Sequence, residues 1–135
     1  MVNNKYILCI DDDDDDCSLL REAIIKANTS FSVKSVKSGD EAIKFLVKSI
    51  ETNDLPGLIV LDINMPGMDG QEALVRIQKL LALSYIPILF LSTNPSENDM
   101  LLAESRNVSV FTKPTSMKGY DDITQTIFKT LLKEY

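Results

Sequence analysis

The sequence predicts an α/β domain built on a doubly wound, parallel sheet of five strands in the order 2-1-3-4-5. Three observations carry this reading. Short unbroken apolar runs, Tyr6-Ile7-Leu8-Cys9-Ile10, Leu58-Ile59-Val60-Leu61 and Ile86-Pro87-Ile88-Leu89-Phe90-Leu91, suit strands buried on both faces of a parallel sheet. Stretches with apolar residues at helical spacing separate them. Carboxylates stand directly after the first and third runs, Asp11, Asp12 and Asp62, where open parallel sheets collect their ligands.

The first run ends at six consecutive aspartates, Asp11 to Asp16. Leu20, Ala23, Ile24 and Ala27 follow at helical spacing, and acids ahead of that helix suit its positive N-terminal end. Phe31 and Val33 alternate with polar neighbours, with Val36 soon after, as in an edge strand. Ser38 and Glu41 have the spacing of a capping box, and Ala42, Phe45 and Leu46 continue a second helix. Asn53 to Gly57 is a polar turn into the third strand. That strand closes on the turn chemistry of Pro66-Gly67 and Asp69-Gly70. A third helix is expected over 72–81, with Leu74, Ile77, Leu80 and Leu81 on one face. Pro87 is tolerable near the start of the fourth strand. A helix from about Ser96 to Arg106 leads to a weaker strand, Val108 to Phe111. Ile123, Ile127 and Leu131 mark a closing helix, with Phe128 alongside. Buried first, third and fourth strands with edge second and fifth satisfy the order 2-1-3-4-5. The chain then reverses across the sheet between strands one and three, opening a crevice at their carboxyl ends.

Composition narrows the function. With 135 residues the chain fits one domain, 1–135, with no room for an output domain. A hydrophobic fraction of 44% and a charged fraction of 25% are those of a globular protein and exclude a disordered chain. A net charge of −6 argues against binding nucleic acid directly. No apolar stretch reaches the roughly 20 residues of a membrane span, and Met1-Val2-Asn3-Asn4-Lys5 does not resemble a signal peptide. A cytoplasmic location is expected. Cys9 and Cys17 do not make a disulfide framework and are expected as free thiols, Cys9 in the core. The absence of histidine excludes imidazole metal sites and Ser-His or Cys-His nucleophiles.

Asp11, Asp12 and Asp62 meeting in one crevice would repel one another unless a cation sits among them. Mg²⁺ is the natural candidate, since it takes oxygen ligands and is held by one or two carboxylates plus phosphate oxygens. A carboxylate beside such an ion can attack a phosphoryl group in line and become an aspartyl phosphate. Two further groups stand at strand ends. Ser92 offers a hydroxyl and Lys113 an ammonium to the same phosphoryl oxygens. Asp13 to Asp16 are read as a solvated helix start. A rival assignment places Asp11, Asp13, Asp15 and Glu22 at the first, third, fifth and twelfth positions of a calcium-binding EF-hand loop. It lacks the glycine at the sixth position, here Asp16, and it follows a strand where that motif needs a helix.

Four segments together resemble the response-regulator receiver domains of two-component signalling. They are Ile10-Asp11-Asp12, Leu61-Asp62-Ile63-Asn64-Met65-Pro66-Gly67-Met68-Asp69-Gly70, Leu91-Ser92-Thr93 and Thr112-Lys113-Pro114. The likeness covers essentially the whole chain and is greatest to small stand-alone receivers, including those that partner phytochrome-type kinases. It implies a flavodoxin-like (βα)5 three-layer sandwich. It implies that Asp62 accepts phosphate from a kinase phosphohistidine. Asp12 and Asp62 would bind Mg²⁺ through their side chains, Asn64 through its backbone carbonyl and Asp11 through water. Ser92 would be the switch hydroxyl, Lys113 the lysine that pairs with the phosphate, and Lys113-Pro114 a cis bond. Implied partners are a sensor histidine kinase or phosphotransfer protein and a downstream protein that reads the surface from the fourth helix through the fifth strand to the fifth helix. The chain would act as a monomer or homodimer.

Two positions depart from the family pattern. Val110 stands three before the lysine, where an aromatic is usual, with Phe111 next door on the opposite face. Arg106-Asn107 stands where a glycine commonly ends the fourth helix, and Asn107 can supply the left-handed turn. Two other functions fit the same residues. A Mg²⁺-dependent aspartyl-phosphate phosphatase would use Asp62 as nucleophile, but would want an acid where Asn64 stands. A degenerate receiver would serve as a phosphate-independent interaction module.

Overall fold

A computed structural model describes residues 6–65 and 67–132. The segment Met1 to Lys5, Pro66 of the turn after the third strand and the side chain of Leu81 lie outside the described residues. The elements run β1 (Tyr6–Ile10), α1 (Asp14–Ala27), β2 (Ser32–Val36), α2 (Gly39–Thr52), β3 (Leu58–Asp62), α3 (Gly70–Gln78), a 3-10 turn (Leu81–Leu83), β4 (Ile88–Ser92), α4 (Glu97–Ser105), β5 (Ser109–Thr112) and α5 (Met117–Leu132). All strand pairs are parallel, in the order β2-β1-β3-β4-β5. The expected doubly wound, flavodoxin-like topology is therefore the observed one.

Strand alternation divides the core into two layers, since successive side chains leave opposite faces of the sheet. Leu8, Ile10, Ile59, Leu61 and Phe90 pack with Leu46 of α2 and Leu74 of α3. Ile7, Cys9, Val60, Leu89 and Leu91 pack with Leu20 and Ile24 of α1 and Ile123 and Ile127 of α5. The edge strand β5 splits the same way, Val110 joining the first layer and Phe111 the second.

Several boundaries differ from those expected. Helix α3 begins at Gly70, two residues earlier than 72–81 implies, because Asp69 caps it by accepting from the Glu72 amide at 2.9 Å. It ends at Gln78, and Leu80 and Leu81 belong to the connection that follows. Strand β4 starts at Ile88, although the Pro87 carbonyl still accepts from the Ile59 amide at 2.9 Å. Val108 precedes β5. Its amide instead donates to the Ala103 carbonyl at 2.9 Å and closes the end of α4.

The capping box expected at Ser38 and Glu41 is half formed. Ser38 Oγ accepts from the Glu41 amide at 3.1 Å, while the Glu41 carboxylate takes the Ser38 hydroxyl at 3.4 Å. The complete box is at α4, where Ser96 and Asp99 bond reciprocally, at 3.0 and 2.8 Å. The left-handed turn expected at Asn107 is present, with φ 61°. Asn53 ends α2 in the same conformation. The cis bond expected at Lys113-Pro114 is not: the described residues contain no cis peptide bond, and trans is the lower-energy form of X-Pro.

Candidate functional site

The carboxyl ends of β1, β3, β4 and β5 bring Asp11, Asp12, Asp62, Asn64, Ser92 and Lys113 to one end of the sheet. Asp11 is 3% exposed, and its Oδ1 accepts from the Asp13 amide at 3.0 Å, a short turn that orients the carboxylate. Asp12 is exposed. Asp62, the last residue of β3, is 4% exposed, and its Oδ1 accepts from the Asn64 amide at 3.3 Å. The loop after it folds back tightly, the Gly70 amide donating to the Ile63 carbonyl at 2.8 Å. A Cβ on Gly70 would stand 2.5 Å from Ile63 Cα and collide with the Asp62 carbonyl. Only glycine allows this approach, which sets the backbone under Asp62.

Ser92, at the end of β4, is fully buried. Its Oγ accepts from the Asn94 amide and from Asn64 Nδ2, both at 3.2 Å, and so ties the loops after β3 and β4 together. Its carbonyl accepts from the Lys113 amide at 2.7 Å, fixing where the lysine leaves β5.

The Lys113 side chain is only 8% exposed. Its ammonium lies 2.8 Å from Asp16, 2.9 Å from Asp11 and 3.6 Å from Asp62. Burial opposes the charge, but the bonds to Asp16 and Asp11 outweigh it and raise the lysine above its ordinary pKa, so it stays protonated. Asp62 moves the other way for a carboxylate. Burial, then the Asp11 charge, push its carboxyl up to about 7 against the pull of Lys113.

The site therefore gathers several carboxylates around one ammonium. One oxygen each from Asp11, Asp12 and Asp62 lie within 4.8 Å of one another. An all-oxygen, anionic donor set of this kind fits a hard divalent cation. Beside it opens a pocket of about 450 Å³, lined among others by Asp12, Asp16, Asp62, Asn64, Thr93 and Lys113.

One functional neighbour escapes the sequence reading. Asp13 is the N-cap of α1, accepting from the Asp15 and Asp16 amides, and Asp14 pairs with Lys37 on the surface, as a solvated helix start should. Asp16 does not fit that description. Besides Lys113 it accepts from the hydroxyl of Tyr120 at 3.3 Å, a fully buried residue of α5. Its only sequence signal is its place, three residues past the cap of a helix that starts beside the crevice. The EF-hand assignment fails on the same geometry, since residues from Asp14 onward are helical.

This fold, with acidic residues and a lysine at the carboxyl ends of its strands, is that of a signalling receiver domain. The chain belongs to the response regulator receiver domain family, whose family model matches residues 7–125. Among its relatives, the response regulator Rcp1 of Synechocystis sp. is 29% identical over 126 residues, which cover 91% of this chain and 86% of Rcp1. Among solved structures, the phosphorylated cyanobacterial phytochrome response regulator RcpA superposes with a TM-score of 0.85 at 29% identity, covering 97% of this chain and 96% of RcpA. The Mn²⁺-bound form of Rcp1 superposes with a TM-score of 0.78 at 29% identity, covering 91% of each chain. The protein is thus a receiver of two-component signalling, a class of signalling switches. None of its described helices is long and apolar enough to cross a membrane.

Proposed function

We propose that this receiver takes a phosphoryl group on Asp62 and uses it to switch a protein-binding surface. The observation that carries the reading is the convergence of Asp62 with Asp11, Asp12 and Lys113 at the mouth of an open pocket. An Asp62 carboxylate oxygen attacks the phosphorus of a phosphohistidine on a sensor kinase or phosphotransfer protein. The P–O bond forms, the P–N bond breaks, and the imidazole leaves with the electron pair. Asp12 and Asp62 would hold Mg²⁺ by their side chains, Asn64 by its carbonyl and Asp11 through water. The bound ion would neutralise charge on the transferring oxygens. The solved Mn²⁺-bound form of Rcp1 supports divalent-cation binding by this chain.

Lys113 would then exchange Asp16 for a phosphoryl oxygen, and Ser92 would donate its hydroxyl to another. Ser92 sits where β4 meets the loop into α4, so its movement repositions that loop and biases a two-state equilibrium. Helix α4 carries the exposed Met100 and Leu101, 50% and 58% accessible, on the surface that a partner protein would read. Val110 is partly buried in the first core layer and offers no aromatic to relay the change. The chain works in the cytoplasm, where its kinase partner is.

Treatment with acetyl phosphate and Mg²⁺, followed by intact-mass measurement, tests the chemistry. A gain of one phosphoryl group in the wild type and none in Asp62→Asn is expected. Absence of the adduct, or its persistence in Asp62→Asn, contradicts the proposal. Steady hydrolysis of a phosphoester without a lasting adduct would instead support the phosphatase.

A further inference from the structure

Cys9 and Cys17 take no part in the chemistry above, yet they face each other. Cys9 lies on β1 and Cys17 in the first turns of α1, and their Sγ atoms are 3.2 Å apart. Both are buried, at 2% and 4% exposure, and both are reduced. Cys17 Sγ also donates to the Asp11 carbonyl, at 3.9 Å. A disulfide has an S–S length of about 2.05 Å, so the two sulfurs need to close by only about 1 Å. Both anchors are firm. β1 is hydrogen-bonded on both sides, to β2 and β3, and the start of α1 is fixed by the Asp13 cap and by the bond from the Cys17 amide to the Asp13 carbonyl at 3.1 Å.

We propose that Cys9 and Cys17 are a modification site, at which a peroxide oxidises the pair to an intramolecular disulfide clamping the first turn of α1 to β1. The chemistry balances with one hydrogen peroxide. The Cys17 sulfur attacks a peroxide oxygen, the S–O bond forms as the O–O bond breaks, and the departing hydroxide leaves as water with the thiol proton. The Cys9 sulfur then attacks the sulfenic sulfur, the S–S bond forms as S–O breaks, and a second water carries off the Cys9 proton. Two thiols give up two electrons, and the peroxide is reduced to two waters.

Neither sulfur lines the acidic pocket, so the peroxide has to pass the first turn of α1 to reach them. Asp16, immediately before Cys17, lines that pocket, and hydrogen peroxide is neutral and close to water in size. The proposal does not rest on the phosphoacceptor reading, since the sulfurs hydrogen-bond to each other and to the Asp11 carbonyl, not to Asp62 or Lys113.

The folded wild-type chain is treated with hydrogen peroxide, denatured with iodoacetamide and digested with trypsin. One peptide, Tyr6 to Arg21, contains both cysteines and no internal trypsin site. The expected product is that peptide unalkylated and lighter by two hydrogens, restored to two alkylatable thiols by dithiothreitol. The oxidised protein should melt at a higher temperature than the reduced, because the cross-link restricts the unfolded chain. In Cys9→Ser or Cys9→Ala, Cys17 should stop at the sulfenic acid and be trapped by dimedone. Two alkylated thiols after peroxide, oxygen addition to Cys17 with Cys9 still alkylatable, disulfide-linked dimers, or a lowered melting temperature would each overturn the proposal.

Discussion

The Lys113 ammonium lies 2.8 Å from Asp16 but 3.6 Å from Asp62, so the first helix, more than the third strand, holds it. Through the same carboxylate it is linked to the Tyr120 hydroxyl on α5. In the proposed switch, a phosphoryl group on Asp62 would have to draw the lysine away from this partner. Its release would then reach α5 through Tyr120, without an aromatic at position 110. Asp16 is a positioning residue in this arrangement.

Weakening that hold should ease phosphorylation. Asp16→Asn keeps the shape and an acceptor for Tyr120 but removes the charge. The expected result is adduct formation at Asp62 about threefold to tenfold faster, which corresponds to up to about 1.4 kcal/mol at the barrier. Time-resolved mass measurement with acetyl phosphate checks this, and a slower reaction would show that Asp16 supports the chemistry.

Removing the lysine leaves Asp11, Asp16 and Asp62 without their shared cation. Lys113→Met should lower stability by about 3–5 kcal/mol, the usual cost of uncompensated buried charge. Divalent cation binding to the folded state should restore part of the loss. Urea unfolding in EDTA and in Mg²⁺ measures both effects.

The raised pKa of Asp62 makes metal-free stability depend on pH. Its ordinary value is 3.8, and burial with the Asp11 charge pushes it to about 7. Between those values the folded chain binds more protons than the unfolded one. The contribution of Asp62 is therefore full below pH 3.8 and is lost as pH rises through about 7. In EDTA, Asp62→Asn should flatten this slope and exceed the wild type in stability at pH 8. Urea midpoints across the pH range provide the measurement.

Asn107 ends α4 with φ 61°. Asn107→Ala should cost about 1 kcal/mol, because an ordinary side chain is strained there, and Asn107→Gly should be close to neutral. Thermal unfolding of the two variants separates backbone strain from loss of the side chain.

Most of the fold was legible because its signals are local. An unbroken apolar run such as Leu58 to Leu61 has one stable place, the middle of a parallel sheet, and the acids and turn residues that end it state which way it points. The boundaries that moved did so for contacts the chain makes at a distance or in its caps. Ser38 and Ser96 both precede an acid by three, yet only at Ser96 does the second half of the capping box form. There Asp99 is also held by Gln71 of α3, at 2.5 Å, a contact no spacing rule reports.

The same division runs through the site. The sequence by itself determined that Asp11, Asp12, Asp62, Ser92 and Lys113 share one end of the sheet, since each ends a strand or stands just past its end and all the strands run the same way. Tertiary structure alone decided which of them touch. Asp16 looks like one more solvated acid in a run of six, and Cys9 and Cys17 look like two unrelated free thiols. Where α1 packs on β1 and α5 sets the distances from Asp16 to Lys113 and between the two sulfurs. Those distances depend on how two elements approach, which side-chain packing fixes and residue order does not encode locally.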